Sequence, residues 1–104
     1  MTIIEQLTEE FHLRPEHANN IVKLLDEGNT IPFIARYRKE MTGAIDDQVL
    51  RQFVDRYEYL TNLEKRKEEV RKSITDQGKM TEEIEKAIED CKTLTEIEDV
   101  YRPY

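Results

Sequence analysis

Apolar residues recur at helical spacing along nearly the whole chain, and no segment alternates apolar and polar residues as a half-buried strand would. Threonines stand just before several of these apolar runs, where a side-chain oxygen can accept a backbone N–H and start a helix. These predicted caps are Thr2, Thr30, Thr81 and Thr93. With the glycine and proline positions, they predict helices over about residues 2–11, 15–27, 31–39, 46–77, 82–91 and 94–101.

The fourth of these helices is predicted to be much longer than the others. Neither glycine nor proline occurs between Asp46 and Gln77, and about 30 helical residues at 1.5 Å each span ~45 Å. The apolar stripe thins toward the C-terminal end, where Lys67 occupies a position that suits an apolar side chain. We therefore expect this end to be less buried, with Val70 and Ile74 open for contact with another domain or for self-association.

The fold class predicted from this pattern is all-α. With 104 residues, the chain has the length of one domain and can bury a modest core. We expect one domain over residues 1–104, in which an irregular bundle of short helices surrounds one long central helix that projects beyond the core.

One segment, residues 30–43, joins an apolar helical turn to basic residues. A proline is tolerated in a first helical turn because its missing N–H would have no partner there. Apolar and aromatic residues follow at helical spacing, and we expect them to pack into the core. The predicted structural motif consists of Pro32, Phe33, Ile34 and Tyr37.

The same segment carries Arg36, Arg38 and Lys39 beside Tyr37, and two interpretations of this cluster are open. In the first, the cations bind phosphates and Tyr37 stacks on a base, which makes the cluster a nucleic-acid-binding site. In the second, the arginines pair with carboxylates of the chain and fix the long helix against its neighbours. The acidic composition favours the second, because it supplies many internal partners.

The formal net charge of −7 argues against a domain that clamps nucleic acid over its whole surface. Any contact with nucleic acid must therefore be local. The first two helices could form a helix-turn-helix reader, but the second carries Glu16, Asp26 and Glu27 against Lys23. A major-groove helix is normally basic, so this reader is the less favoured alternative.

Residues with catalytic or metal-binding chemistry are sparse. Cys91, the only cysteine, occupies an apolar helical position without a nearby histidine, which favours a core role. His12 and His17 lack a cysteine or acidic ligand at a metal-site spacing. We predict no catalytic residue, no metal and no cofactor, and hence a protein that is not an enzyme. The lone cysteine and the lack of a membrane-length apolar run predict a cytoplasmic protein without membrane contact.

Several short motifs, taken together, resemble the N-terminal domain of the Tex family of bacterial transcription accessory proteins. They follow the family's order and spacing and cover nearly the whole chain. They are LDEG at 25–28, TIPFIARYRKEMTG at 30–43, IDD at 45–47, KSI at 72–74, QGK at 77–79 and IEDVYRPY at 97–104.

The resemblance implies a parent protein several times longer than this chain. Family members continue into a ribonuclease-H-like domain, helix-hairpin-helix elements and a C-terminal OB-fold domain that binds RNA, so the chain is expected to be a fragment. The implied function is a non-catalytic scaffold within a transcription accessory protein. Its implied partners are downstream domains of the same parent chain, RNA or DNA reached through the parent, and the transcription machinery. The alternative is direct DNA or RNA binding by the cluster at 36–39.

Overall fold

The computed structural model describes residues 2–104 and confirms the all-α prediction. Helices α1–α7 and no strand occur in these residues. The helices are α1 Ile3–Phe11, α2 Pro15–Asp26, α3 Ile31–Tyr37, α4 Lys39–Thr42, α5 Asp47–Asp76, α6 Glu82–Asp90 and α7 Leu94–Tyr101. No helix in this part of the chain is long and apolar enough to cross a membrane.

The predicted threonine caps are confirmed at the starts of α1, α3, α6 and α7. In each case the threonine Oγ1 accepts a hydrogen bond from the backbone N–H three residues later, at 3.1–3.3 Å. Such a bond satisfies one of the donors that the first turn of a helix leaves without an intrahelical partner. Local sequence signals therefore decide where these four helices begin.

The chain divides into two compact units, Met1–Glu58 and Tyr59–Tyr104. Helix α5 contributes residues to both of them. The boundary falls inside this continuous helix, so no change of composition and no proline or glycine marks it in the sequence. This is why the sequence pattern predicts one domain.

The first unit is built on apolar residues contributed by each of its longer helices. Leu7, Ile21, Ile34 and Phe53, from α1, α2, α3 and α5, are fully buried. The ring of Phe53 also packs on Phe11, with 5.5 Å between the ring centroids. Helices as short as these are marginal in water by themselves, so this shared burial is what holds them in place.

The helix predicted over residues 31–39 is interrupted at Arg38, whose backbone angles of φ −129° and ψ 36° are not helical. Helices α3 and α4 lie on either side of this residue. Helix α4 then ends at Gly43, which has φ +74°, and a Cβ atom there would lie 2.5 Å from Nδ1 of His17. Both the left-handed backbone and the close approach of the imidazole therefore require glycine.

The core of the second unit lies where α5 meets α6 and α7. Its buried residues are Leu63, Val70, Ile74, Ile88, Cys91 and Ile97. Val70 and Ile74 are 0% exposed, so the expectation that they lie open for another domain or for self-association is wrong. The thin apolar stripe of α5 is sufficient because two short amphipathic helices of the same chain cover it.

Lys67 is also buried, contrary to the expectation that it marks a less buried end of the helix. Its side chain is 8% exposed, and its Nζ donates a hydrogen bond to the carbonyl oxygen of Glu89 at 3.0 Å. Glu89 lies in the last turn of α6, where carbonyl groups lack intrahelical donors and a positive charge is favourable. Lys67 therefore fastens the end of α6 to α5, and it pairs with Glu64 at 3.5 Å.

Candidate functional site

The side chains of the predicted basic cluster lie together at the junction of α3 and α4. Arg36, Tyr37 and Lys39 are exposed, whereas Arg38 is half-buried. Ile34 anchors α3, because its side chain is fully buried in the core of the first unit. We call Arg36, Tyr37, Arg38 and Lys39 the α3–α4 surface.

Tyr37 lies on the outside of the molecule, not in the core. It is 58% exposed, and its ring packs on Phe33 of its own helix, with 5.3 Å between centroids. Of the three residues expected to be buried, only Ile34 is; Phe33 is half-buried and the prediction for Tyr37 is wrong. The ring of Tyr37, the last residue of α3, lies back along the helix against Phe33 four residues earlier, and most of the residue remains in solvent.

Arg38 lies against the ring of Phe33 and the backbone of Tyr37. Its Cζ stands 5.0 Å from the centroid of the Phe33 ring, and its Nη1 donates a hydrogen bond to the carbonyl oxygen of Tyr37 at 3.0 Å. A guanidinium at this distance from an aromatic ring is attracted by the negative face of the ring. Phe33 therefore contacts both the exposed ring of Tyr37 and the guanidinium of Arg38.

Within residues 2–104, no carboxylate forms an ion pair with Arg36, Arg38 or Lys39. The prediction that the arginines are tied to internal acids is therefore wrong. Glu40 follows Arg36 by four residues, the spacing at which a continuous helix pairs opposite charges. The interruption of the helix at Arg38 removes that geometry. Residues 28–39 themselves contain no aspartate or glutamate.

A second face of α3 borders an open groove of about 390 Å³. The side chains that line it are Pro32, Ala35, Arg36, Lys39, Asp47 and Arg51. Pro32, Ala35 and Arg36 lie along one side of α3, at i, i+3 and i+4, and Lys39 follows the break at Arg38 as the first residue of α4. The other two come from the first turns of α5, so three helices of the first unit, α3, α4 and α5, line the groove.

Arg51 is a site residue that the sequence analysis missed. Its Nε donates to Oδ2 of Asp47 at 3.2 Å, and both side chains are about half exposed. From sequence, Arg51 looks like one half of an ordinary i, i+4 pair on the surface of a helix. Only the fold of the first unit brings Arg51 to the groove, and no local signal in the sequence reports that placement.

Cys91 and possible metal ligands are the remaining candidates for site chemistry. Cys91 is buried, and desolvation followed by the charge of Glu96 raises the pKa of its thiol. A raised pKa is the opposite of what activates a cysteine nucleophile. In the described part of the chain, no group of three or more histidine, cysteine or acidic side chains is placed to hold a metal ion. What the α3–α4 surface and its groove can do chemically is bind an anion and stack against a flat ring.

The α3–α4 surface lies in a part of the chain that matches a known protein family. The family model for the Tex-like protein N-terminal domain matches residues 1–75, a range that contains the α3–α4 surface and nearly all of α5. The chain belongs to this family. The resemblance seen in the sequence motifs is thereby confirmed.

Relatives of the Tex-like chain come from bacteria and from animals. Protein YhgF of Escherichia coli K12 is 53% identical over 95 residues, which cover 91% of this chain and 12% of that protein. The transcriptional accessory protein Tex of Neisseria gonorrhoeae is 46% identical over 104 residues, 100% of this chain and 14% of the relative. The human S1 RNA-binding domain-containing protein 1 is 37% identical over 102 residues, 98% of this chain and 10% of the relative. The Tex-like chain thus spans only about a tenth to a seventh of the length of these relatives.

Proposed function

We propose that this chain is a non-catalytic helical scaffold and interaction domain of a Tex-like transcription accessory protein. The parent protein binds nucleic acid and influences transcription in the cytoplasm. The domain itself contacts downstream domains of the same parent chain and parts of the transcription machinery. Support comes from two names: one relative is called a transcriptional accessory protein, and another is named for an RNA-binding domain.

The α3–α4 surface is the observation that carries this proposal. Within residues 2–104, the cations of this surface form no ion pair that would link one helix of the domain to another, and they lie beside an exposed aromatic ring. Tyrosine and arginine are the residues that most often dominate contacts between macromolecules, because they combine a large apolar area with directed polar groups. A surface of this composition on a well-packed helical support is suited to binding a partner.

An exchange experiment tests the interaction role. This chain would replace the matching segment of the gonococcal Tex protein, since the two align over the full chain. We expect the chimera to restore the transcriptional phenotype of a strain that lacks its own Tex protein, and a version without the domain to fail. Full restoration by the version without the domain would contradict the proposal.

A second candidate function is direct binding of DNA or RNA by Arg36, Tyr37, Arg38 and Lys39. The absence of ion pairs to these cations in residues 2–104 favours it, since their charge is available to phosphates. At low salt, the isolated chain should then bind nucleic acid with a clear salt dependence, and Arg36→Ala with Arg38→Ala should abolish binding. If the wild-type chain does not bind nucleic acid and these substitutions lower its melting temperature, the cluster has a structural role.

A further inference from the structure

We propose that the groove between α3 and α5 holds the phosphates of a single-stranded nucleic acid, while Tyr37 stacks on one of its bases. This inference rests on the second candidate function and names its ligand and its contacts. Its failure would leave the interaction role untouched, because that role is tested by exchange in the parent protein and not by binding to nucleic acid.

The groove concentrates positive charge in an acidic chain. Arg36 and Lys39 reach it from α3 and α4, Arg51 reaches it from α5, and Asp47 is the acid among its lining residues. The chain as a whole carries a net charge of −7. A polyanion is therefore repelled by most of the surface and attracted at this groove, so its footprint is confined to a few phosphates.

The ion pair between Arg51 and Asp47 does not block the groove. Both side chains are about half exposed, and pairs this open to water are held weakly because solvent screens them. Arg51 can therefore exchange the carboxylate of Asp47 for a phosphate oxygen with little loss. Together with Arg36 and Lys39, it supplies three cationic groups from two sides of the groove.

Tyr37 distinguishes a single strand from a duplex. Arg36 and Tyr37 are consecutive in α3, so their side chains point about 100° apart around the helix and serve adjoining faces. Phe33 supports the tyrosine ring from the same helix, and 58% of Tyr37 remains exposed. Stacking on such a ring needs a base whose face is free, which a single strand offers and the interior of a duplex does not. An acidic protein segment without aromatic residues would fill the groove but would leave the ring without a stacking partner.

The test uses the 104-residue chain and a fluorescently labelled single-stranded RNA of about a dozen nucleotides, a length in the range that single-strand-binding folds cover. Fluorescence anisotropy is measured across a salt series at neutral pH. Three phosphates in the groove predict that log K falls with log salt with a slope of about −2, since each phosphate on a single strand contributes about −0.7. A duplex of the same length and a poly-glutamate peptide serve as competitors.

The groove variants are Arg36→Ala with Lys39→Ala, and Arg51→Ala. We expect the double variant to weaken RNA binding by about tenfold or more and to flatten the salt slope, because two phosphate contacts are lost. Lys23→Ala is the matched control, since Lys23 is an exposed cation of the same unit that lies outside the groove. Equal losses in Lys23→Ala and in the groove variants would overturn the proposal.

The stacking contact is tested separately by Tyr37→Ala and Tyr37→Phe. Tyr37→Ala should lower the affinity for single-stranded RNA by about tenfold and leave the weak binding of the duplex unchanged. Tyr37→Phe should retain the affinity for single-stranded RNA, because it keeps the ring. The circular dichroism spectra of these surface variants should match the wild type, and their melting temperatures should stay within about 4 °C of it. The proposal of a single-stranded nucleic acid as the ligand would be wrong if poly-glutamate competed as well as unlabelled RNA. It would also be wrong if Tyr37→Ala bound the RNA with wild-type affinity. No salt-dependent binding of the RNA would reject the site itself.

Discussion

Two arginines of the second unit, Arg66 and Arg71, join helices to one another, whereas the arginines of the α3–α4 surface form no ion pair within residues 2–104. Arg66 on α5 bonds Glu98 of α7 at 2.5 Å and lies 5.3 Å from the ring centroid of Tyr101. Arg71 on α5 bonds Glu85 of α6 at 2.6 Å. The same residue type therefore serves as a cross-link in one region and as an available cation in the other.

The difference follows from where the carboxylates lie. Helices α6 and α7 carry acids on the turns that face α5, so an arginine on α5 meets one across the helix interface. The stretch from residue 28 to 39 contains no carboxylate. The helix is interrupted at Arg38, so Arg36 and Glu40 lose the i, i+4 geometry in which they would pair. An acidic composition thus does not neutralise every cation, because pairing is decided by local geometry and not by the total charge.

The largest expected effect compares Ile74 of the second unit with Tyr37 of the α3–α4 surface. Ile74→Ala should lower the free energy of unfolding by about 2–5 kcal/mol, because it removes a fully buried side chain and leaves a cavity. Tyr37→Ala should change it by only about 0.5 kcal/mol, since most of that residue is in water. Urea denaturation of both variants measures the two values.

Equal destabilisation by the two variants would mean that the second unit is not closed in solution. Sedimentation of the wild type gives an independent check. We expect a monomer, because Val70 and Ile74 are covered by α6 and α7 of the same chain. A concentration-dependent dimer that Ile74→Ala disrupts would contradict this packing and restore the expectation of self-association.

The sequence predicts what depends on neighbours along the chain. Thr30 and Thr81 cap their helices as expected, because a cap needs only the backbone N–H three residues later. It does not predict what depends on distant segments. Tyr37 was expected in the core and Ile74 on the surface, and the structure has the reverse. Burial at both positions is decided by which helices fold against α3 and α5, and the same limit kept Arg51 out of the candidate site.

The next largest effect concerns Lys67, a cation used as a cross-link. Lys67→Ala should lower the free energy of unfolding by about 1–3 kcal/mol. It leaves the carbonyl group of Glu89 without its donor and opens a gap at a buried position. Thermal and urea denaturation measure the loss. Lys86→Ala is the control, since Lys86 is exposed and its removal should change stability by no more than about 0.5 kcal/mol. A wild-type melting temperature for Lys67→Ala would show that the contact with α6 contributes nothing.

A smaller effect separates a paired arginine from an unpaired one. Arg71→Ala should lower the free energy of unfolding by about 1 kcal/mol, because Arg71 bonds both Glu85 and Glu68 and its side chain is only 24% exposed. Arg36→Ala should have no measurable effect on stability, since no ion pair is lost in the described residues. The assignment of roles would be reversed if Arg36→Ala were the more destabilising of the two.

The smallest effect is the pH dependence of the link between Arg66 and Glu98. The hydrogen bond from the Arg66 guanidinium holds the pKa of Glu98 below its ordinary value of 4.5. A carboxyl group whose pKa is lowered by folding stabilises the folded state above the unfolded pKa, and this contribution disappears as the pH falls through the folded pKa.

Glu98→Gln should therefore melt at a lower temperature than the wild type at pH 7, and the difference in melting temperature should close as the pH is lowered below about 4.5. Glu58→Gln, at an exposed acid that forms no ion pair in the described chain, should show no such pH-dependent gap. A gap for Glu98→Gln that is as large at pH 3 as at pH 7 would show that the charge of Glu98 is not what binds α7 to Arg66.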